Sequence, residues 1–141
     1  CRSGRVVVTA RAVVDALRAL GARRIAVATP YPETVNVRLR AYLEHFGFEI
    51  AAFHAVDGWK GGTIARLAPQ VAVDLALAGA ASRPDAIVVS CTNFRAGEAI
   101  ARIEAETGLP VVTANQATFW ASARLAGLAA PLPSLGALGR H

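Results

Sequence analysis

The chain has 141 residues, enough for one domain with its own core and too few for two full ones. Apolar residues make up 54% and charged residues 18%, which excludes disorder as the main state. The formal charge of +5 sits in residues 1–24, where six Arg face Asp15 alone, while the rest balances nine basic against nine acidic residues. No basic stripe with interleaved aromatics follows, so no nucleic-acid partner is expected.

In chain order, residues 5–9 read as a strand, followed by a helix carrying Val13, Val14, Leu17 and Leu20 and closed by Gly21. Residues 25–29 form a continuous apolar strand. Pro32 then opens a helix whose inner face is Val35, Leu39, Tyr42, Leu43 and Phe46, closed by Gly47. A strand over 48–53 leads to a loop with Trp59 and Gly58, Gly61 and Gly62. Pro69 starts a helix with Val71, Leu75 and Ala78 facing inward. Residues 86–90 are a strand and 96–107 a helix with Ile100 and Ile103 on one side. Residues 111–113 are a short strand, 117–128 the last helix, and 131–141 an irregular tail. This alternation specifies an α/β fold, an open parallel sheet with helices on both faces. The longest uncharged stretch, 107–123, contains Gly108, Pro110, Asn115 and Gln116, so no membrane span is expected.

In such sheets the ligand sites lie beyond the carboxyl ends of the strands. Two of those ends stand out: Thr29-Pro30-Tyr31-Pro32 and Ser90-Cys91-Thr92-Asn93. Cys91 is expected at a helix start, where backbone N–H groups favour a thiolate. The same N–H groups, with Thr92 and Asn93, would hold a carboxylate. The plain alternative is that Cys91 is a small buried apolar residue.

The stretches ATPYPETVNVRLRAYLEHFGFEI (28–50), VVSCTNFRAGEAI (88–100) and PVVTANQATFW (110–120) resemble maleate cis-trans isomerase, of the aspartate/glutamate racemase superfamily, with arylmalonate decarboxylase among its relatives. The resemblance implies a Rossmann- or flavodoxin-like half of a two-domain racemase fold, with one catalytic residue lent by each half. It implies a cofactor-independent isomerase of a small dicarboxylate, maleate to fumarate, in which one cysteine adds to the double bond and the second manages the proton. Cys91 matches the cysteine of the second half. Tyr31 matches a tyrosine that hydrogen-bonds a substrate carboxylate, and Thr92 and Asn93 match the anion-holding turn. Pro30 and Asn115 complete the expected site; Asn115 and Gln116 are second-tier residues of it, and capping of the last helix is their plain alternative. A racemase, an arylmalonate-type decarboxylase, or a non-catalytic carboxylate-binding module stands as the other reading.

The chain lacks Met even at position 1, and reads as a piece of something longer. Residues 1–23 are expected to be the last strand and helix of a first half, 24–116 the α/β domain, and 117–141 a returning helix and tail. Apolar faces that the other half would cover are expected to be exposed, leaving the chain alone with little activity. The full-length form is expected to be a homo-oligomer. Cys1 is either the first catalytic cysteine or a boundary accident, and a structural disulfide to Cys91 is not expected in a cytoplasmic protein. Three scattered histidines, His45, His54 and His141, offer no metal spacing, and neither metal nor cofactor is expected. His45 is expected near a helix end and His54 in a solvated loop. Trp59 is expected either as a flap or as a cap on the core edge.

Overall fold

The computed structural model describes residues 6–56 and 63–141. Its elements are α1 (Thr9–Ala19), β1 (Arg24–Thr29), α2 (Glu33–His45), β2 (Glu49–Ala55), α3 (Pro69–Ala80), β3 (Ala86–Val89), α4 (Ile100–Thr107), β4 (Val111–Thr113) and α5 (Ala114–Leu125). The four strands pair in parallel in the order β2-β1-β3-β4.

Successive side chains of a strand point to opposite faces, and here both faces are covered. Ile25, Val27, Val88 and Val112 join Leu17 of α1, Leu43 of α2 and Ala117 of α5 in one core. Ala28, Ile87, Val89 and Val111 join Val73 of α3 and Ile103 of α4 in the other. The open parallel sheet with helices on both faces is therefore the fold.

The boundaries follow local chemistry. Gly21, at φ +72°, lets the chain leave α1 in a conformation that a side chain would strain. Pro69 occupies the first turn of α3, where its missing N–H costs nothing. Thr113 accepts from the Gln116 N–H while the Gln116 side chain accepts from the Thr113 N–H. This reciprocal cap starts α5 at Ala114, three residues before the expected position.

Several expectations are corrected. Val6–Val8 form no strand: their backbone enters no ladder, and α1 begins already at Thr9, within the expected strand. A β-rich sequence becomes a strand only where a neighbour takes its N–H and C=O groups. Val6 and Val8 are exposed, as are Val37, Phe119 and Leu128. The fully buried face of α3 is Ala72, Val73, Ala76 and Gly79; Val71 and Leu75 pack against the core half-buried, and Ala78 is exposed. Small residues win that face because α3 lies close on β1: a Cβ at Gly79 would stand 2.9 Å from the Ala26 Cβ. On α2 the fully buried positions are Asn36 and Leu43, with Leu39, Tyr42 and Phe46 only partly buried against the core. The first turn of the 96–107 helix is 3-10, over Ala96–Ala99. The tail is ordered, with Leu138 fully buried and the Glu104 carboxylate accepting from the Ala137 N–H. His54 lies within β2, half-buried, with its ring toward Gly79 of α3. His45 is the last residue of α2, edge-on to Phe46. Cys1, Gly58, Trp59, Gly61 and Gly62 lie outside the described residues.

Gly79→Val forces α3 off the sheet and is expected to cost about 1–3 kcal/mol of stability. Urea unfolding reads this as a lowered midpoint; an unchanged midpoint would show that α3 does not depend on that close approach.

Candidate active site

From β1 the chain crosses through α2 to β2 on one side, then returns through α3 to β3 on the other side of β1. The carboxyl ends of β1 and β3 thus diverge to opposite faces, which opens a crevice at a topological switch point. Tyr31 follows β1 and Cys91 follows β3, so both expected residues stand at that crevice.

The loop after β1 is tied from beneath. Asn36, only 3% exposed, donates from Nδ2 to the Tyr31 carbonyl (2.8 Å) and accepts at Oδ1 from the Thr29 hydroxyl (2.7 Å). The Thr29 hydroxyl oxygen also accepts from the Tyr31 N–H at 3.4 Å. Pro30 and Pro32 fix φ on either side of Tyr31.

Cys91 is a free thiol, 7% exposed, at φ +131°. That conformation belongs almost wholly to glycine and costs a side-chain-bearing residue about 1–3 kcal/mol. The surrounding core holds it there. Val89 just before it and Phe94 just after it are both buried, and Phe94 N–H closes a turn on the Cys91 carbonyl at 3.3 Å. The Tyr31 hydroxyl meets the Cys91 thiol and the Ser90 side chain. Burial, then hydrogen bonding to Cys91 and its charge, push the Tyr31 phenol up to about 12, against a smaller opposing pull from Ser90.

The expected helix start at Cys91 is corrected. A turn and a bend intervene, and helical structure begins only at Ala96, as a 3-10 turn before α4. The sulfur therefore does not sit at the start of a helix. Thr92 and Asn93 lie exposed in that turn, and Asn115 donates from Nδ2 to the Thr92 carbonyl at 2.9 Å. The structure thus joins Tyr31, Cys91, Thr92 and Asn115 through contacts. Pro30 is buried behind Tyr31, and Asn93 shares with Thr92 and Asn115 a shallow depression on the outer side of the turn. Gln116 serves the cap of α5 and the tail, donating to the Leu135 carbonyl, and stays buried.

Sequence reading missed Asn36, and it marked Thr29 and Ser90 within the two strand ends without giving either a role. The signal for Asn36 was a short polar residue seven positions before Leu43 on the buried side of α2. It also missed a groove of about 360 Å³ running from Tyr31, Ser90 and Thr92 between α1 and α2, walled by Val13, Val35, Leu39 and Tyr42 with Arg38 as its cation. Among the described residues, no group of His, Cys, Asp and Glu could hold a metal ion, and no helix is long and apolar enough to cross a membrane.

With Tyr42→Phe isolating its signal, Tyr31 is expected to remain a phenol past pH 10 and to ionise at about 12. The unfolded chain releases that proton at about 10. The folded state then holds the extra proton, so stability from this group is constant below pH 10 and falls as pH rises toward 12. Cys91→Ala should lower the value only part of the way, because burial is the larger cause. Tyrosinate absorbance checks both, and ionisation of native Tyr31 at its ordinary pH would contradict the geometry.

Comparison with known proteins gives concordant matches. The arylmalonate decarboxylase family profile covers residues 4–138. Arylmalonate decarboxylase of Bordetella bronchiseptica is 36% identical over 118 residues, 82% of this chain and 49% of that protein. Maleate isomerase of Pseudomonas putida is 32% identical over 134 residues, 94% of this chain and 54% of that protein. A solved structure of Nocardia farcinica maleate cis-trans isomerase, a cysteine-to-serine variant with a covalently bound succinylcysteine intermediate, superimposes with TM-score 0.88 at 29% identity, over 94% of this chain and 54% of that one. The chain spans about half the length of the curated relatives it matches. With a profile match over nearly its whole length and a sheet that superimposes on solved relatives, the chain belongs to the arylmalonate decarboxylase family.

Proposed function

We propose that the protein carrying this chain is a cofactor-independent, cysteine-dependent isomerase of a small dicarboxylate, of the maleate-to-fumarate type. The observation that carries this reading is the Tyr31 hydroxyl held against the Cys91 thiol where β1 and β3 diverge.

Converting a cis to a trans alkene requires the π bond to be opened temporarily, and reversible thiol addition achieves that without a cofactor. A second cysteine, outside the described residues, forms the S–C bond. The π electron pair moves to the neighbouring carbon, which takes the proton of Cys91. After rotation about the single bond, the Cys91 thiolate removes that proton. The electron pair re-forms the double bond and expels the first thiolate. Both thiols end as they began.

Tyr31, kept neutral by its burial, donates to a substrate carboxylate. Thr92 and Asn93 receive the other carboxylate in their exposed turn, and Asn115 fixes that turn through the Thr92 carbonyl. Pro30 backs Tyr31. A reducing cytoplasm suits chemistry that needs free thiols.

One observation favours a second reading, decarboxylation of an aryl-substituted malonate. The groove beside the pair is walled by Val13, Val35, Leu39 and Tyr42, apolar surfaces suited to an aromatic ring that maleate lacks. Cys91 would then protonate the carbanion left by departing carbon dioxide.

The test is turnover of maleate and of phenylmalonate by the protein and its Cys91→Ala and Tyr31→Phe variants. Cys91→Ala is expected to lower kcat by at least about a hundredfold on the true substrate. Fumarate formation supports the first reading and phenylacetate formation the second. Undiminished turnover by Cys91→Ala contradicts both.

A further inference from the structure

We propose that Asn36 is a positioning residue of the site: its buried carboxamide fixes the main chain of Tyr31 so that the phenol meets Cys91. The proposal rests on the reading of Tyr31 and Cys91 as the reacting pair and adds a residue that touches neither substrate nor sulfur.

Asn36 stands on the buried side of α2, seven residues before the fully buried Leu43. An apolar side chain there would extend the core, whereas an amide must have its hydrogen bonds satisfied to be tolerated. Asn36 is no helix cap: Pro32 precedes the first turn of α2, and no side chain caps it. Both of its bonds go instead to residues 29–31.

The orientation of the amide follows from its partners. The Tyr31 carbonyl only accepts, so Nδ2 must face it, leaving Oδ1 to accept from the Thr29 hydroxyl. That hydroxyl oxygen accepts in turn from the Tyr31 N–H. The N–H and C=O of Tyr31 are thus both held in one ring that runs Thr29–Asn36–Tyr31. Prolines at 30 and 32 remove backbone freedom on either side. Only the side-chain torsions of Tyr31 are then left, and Ser90 and Cys91 engage its hydroxyl. Thr29 is itself completely buried as the last residue of β1, so the ring ties Tyr31 directly to the sheet whose neighbouring strand, β3, leads into Cys91.

The experiment is the rate of Cys91 alkylation by iodoacetamide in the protein with Cys1→Ser, compared among Asn36→Ala, Tyr31→Phe and the double variant, with circular dichroism confirming the fold. Asn36→Ala is expected to change the rate by about threefold or more, in the same direction as Tyr31→Phe. Added to Tyr31→Phe, it should change nothing further. A full-sized effect of Asn36→Ala in the Tyr31→Phe background would overturn the proposal, as would no effect in either background. Should Asn36→Ala fail to fold, Thr29→Val must reproduce the change and Thr29→Ser must restore the original rate; failure of this pair equally overturns it. Alkylation needs no turnover, so a protein inactive on maleate and phenylmalonate still decides whether Asn36 positions Tyr31.

Discussion

A half-buried phenol and a buried thiol, set side by side at the carboxyl edge of a parallel sheet, form the contact on which the site depends. Neither group is well served alone in a low-dielectric surrounding, and each supplies the other with a polar partner. Tyr31 holds its proton because burial disfavours the phenolate and because the sulfur beside it would repel a second negative charge. It is therefore a hydrogen-bond donor across the neutral range, which is what recognition of a carboxylate requires.

That contact is expensive to hold, and the fold supplies the rigidity. Cys91 adopts a backbone conformation that few residues with a side chain tolerate. Strain of this kind persists only where the surroundings over-determine it. Here Ile87, Val88 and Val89 lock β3 between two cores, while Phe94 anchors the far side of the turn. On the other arm, the Thr29–Asn36 ring and two prolines leave Tyr31 little freedom. The crossovers through α2 and α3, on opposite faces of the sheet, place these arms at one switch point, so topology and side-chain chemistry converge on the same spot.

The order of elements was legible in the sequence because both parallel strands and their covering helices leave strong apolar patterns. Runs such as residues 25–29 and 86–89 are apolar on both sides, and only a doubly covered sheet accommodates that. The strand expected at residues 5–9 failed because pairing is a tertiary event, and Val6–Val8 join no ladder. On α3 the fully buried positions went to Ala72, Val73, Ala76 and Gly79 and not to the larger Val71 and Leu75, since close approach at Gly79 outranked side-chain size. At the site, Tyr31 and Cys91 were legible as strand-end residues. The helix start at Cys91 was not, because the turn to Phe94 depends on burying that ring in the core. Asn36 was hidden for a similar reason: on α2 it reads as one polar residue among several, and only its partners reveal its task.

The most direct test of the Tyr31–Cys91 contact is the infrared C–O–H band of the Tyr31 phenol, with Tyr42→Phe leaving one tyrosine. A hydroxyl that donates to the sulfur in the native protein should give a band that shifts on Cys91→Ala. An identical band in the two proteins would mean that the hydroxyl and the sulfur do not meet, and would contradict the account of the site.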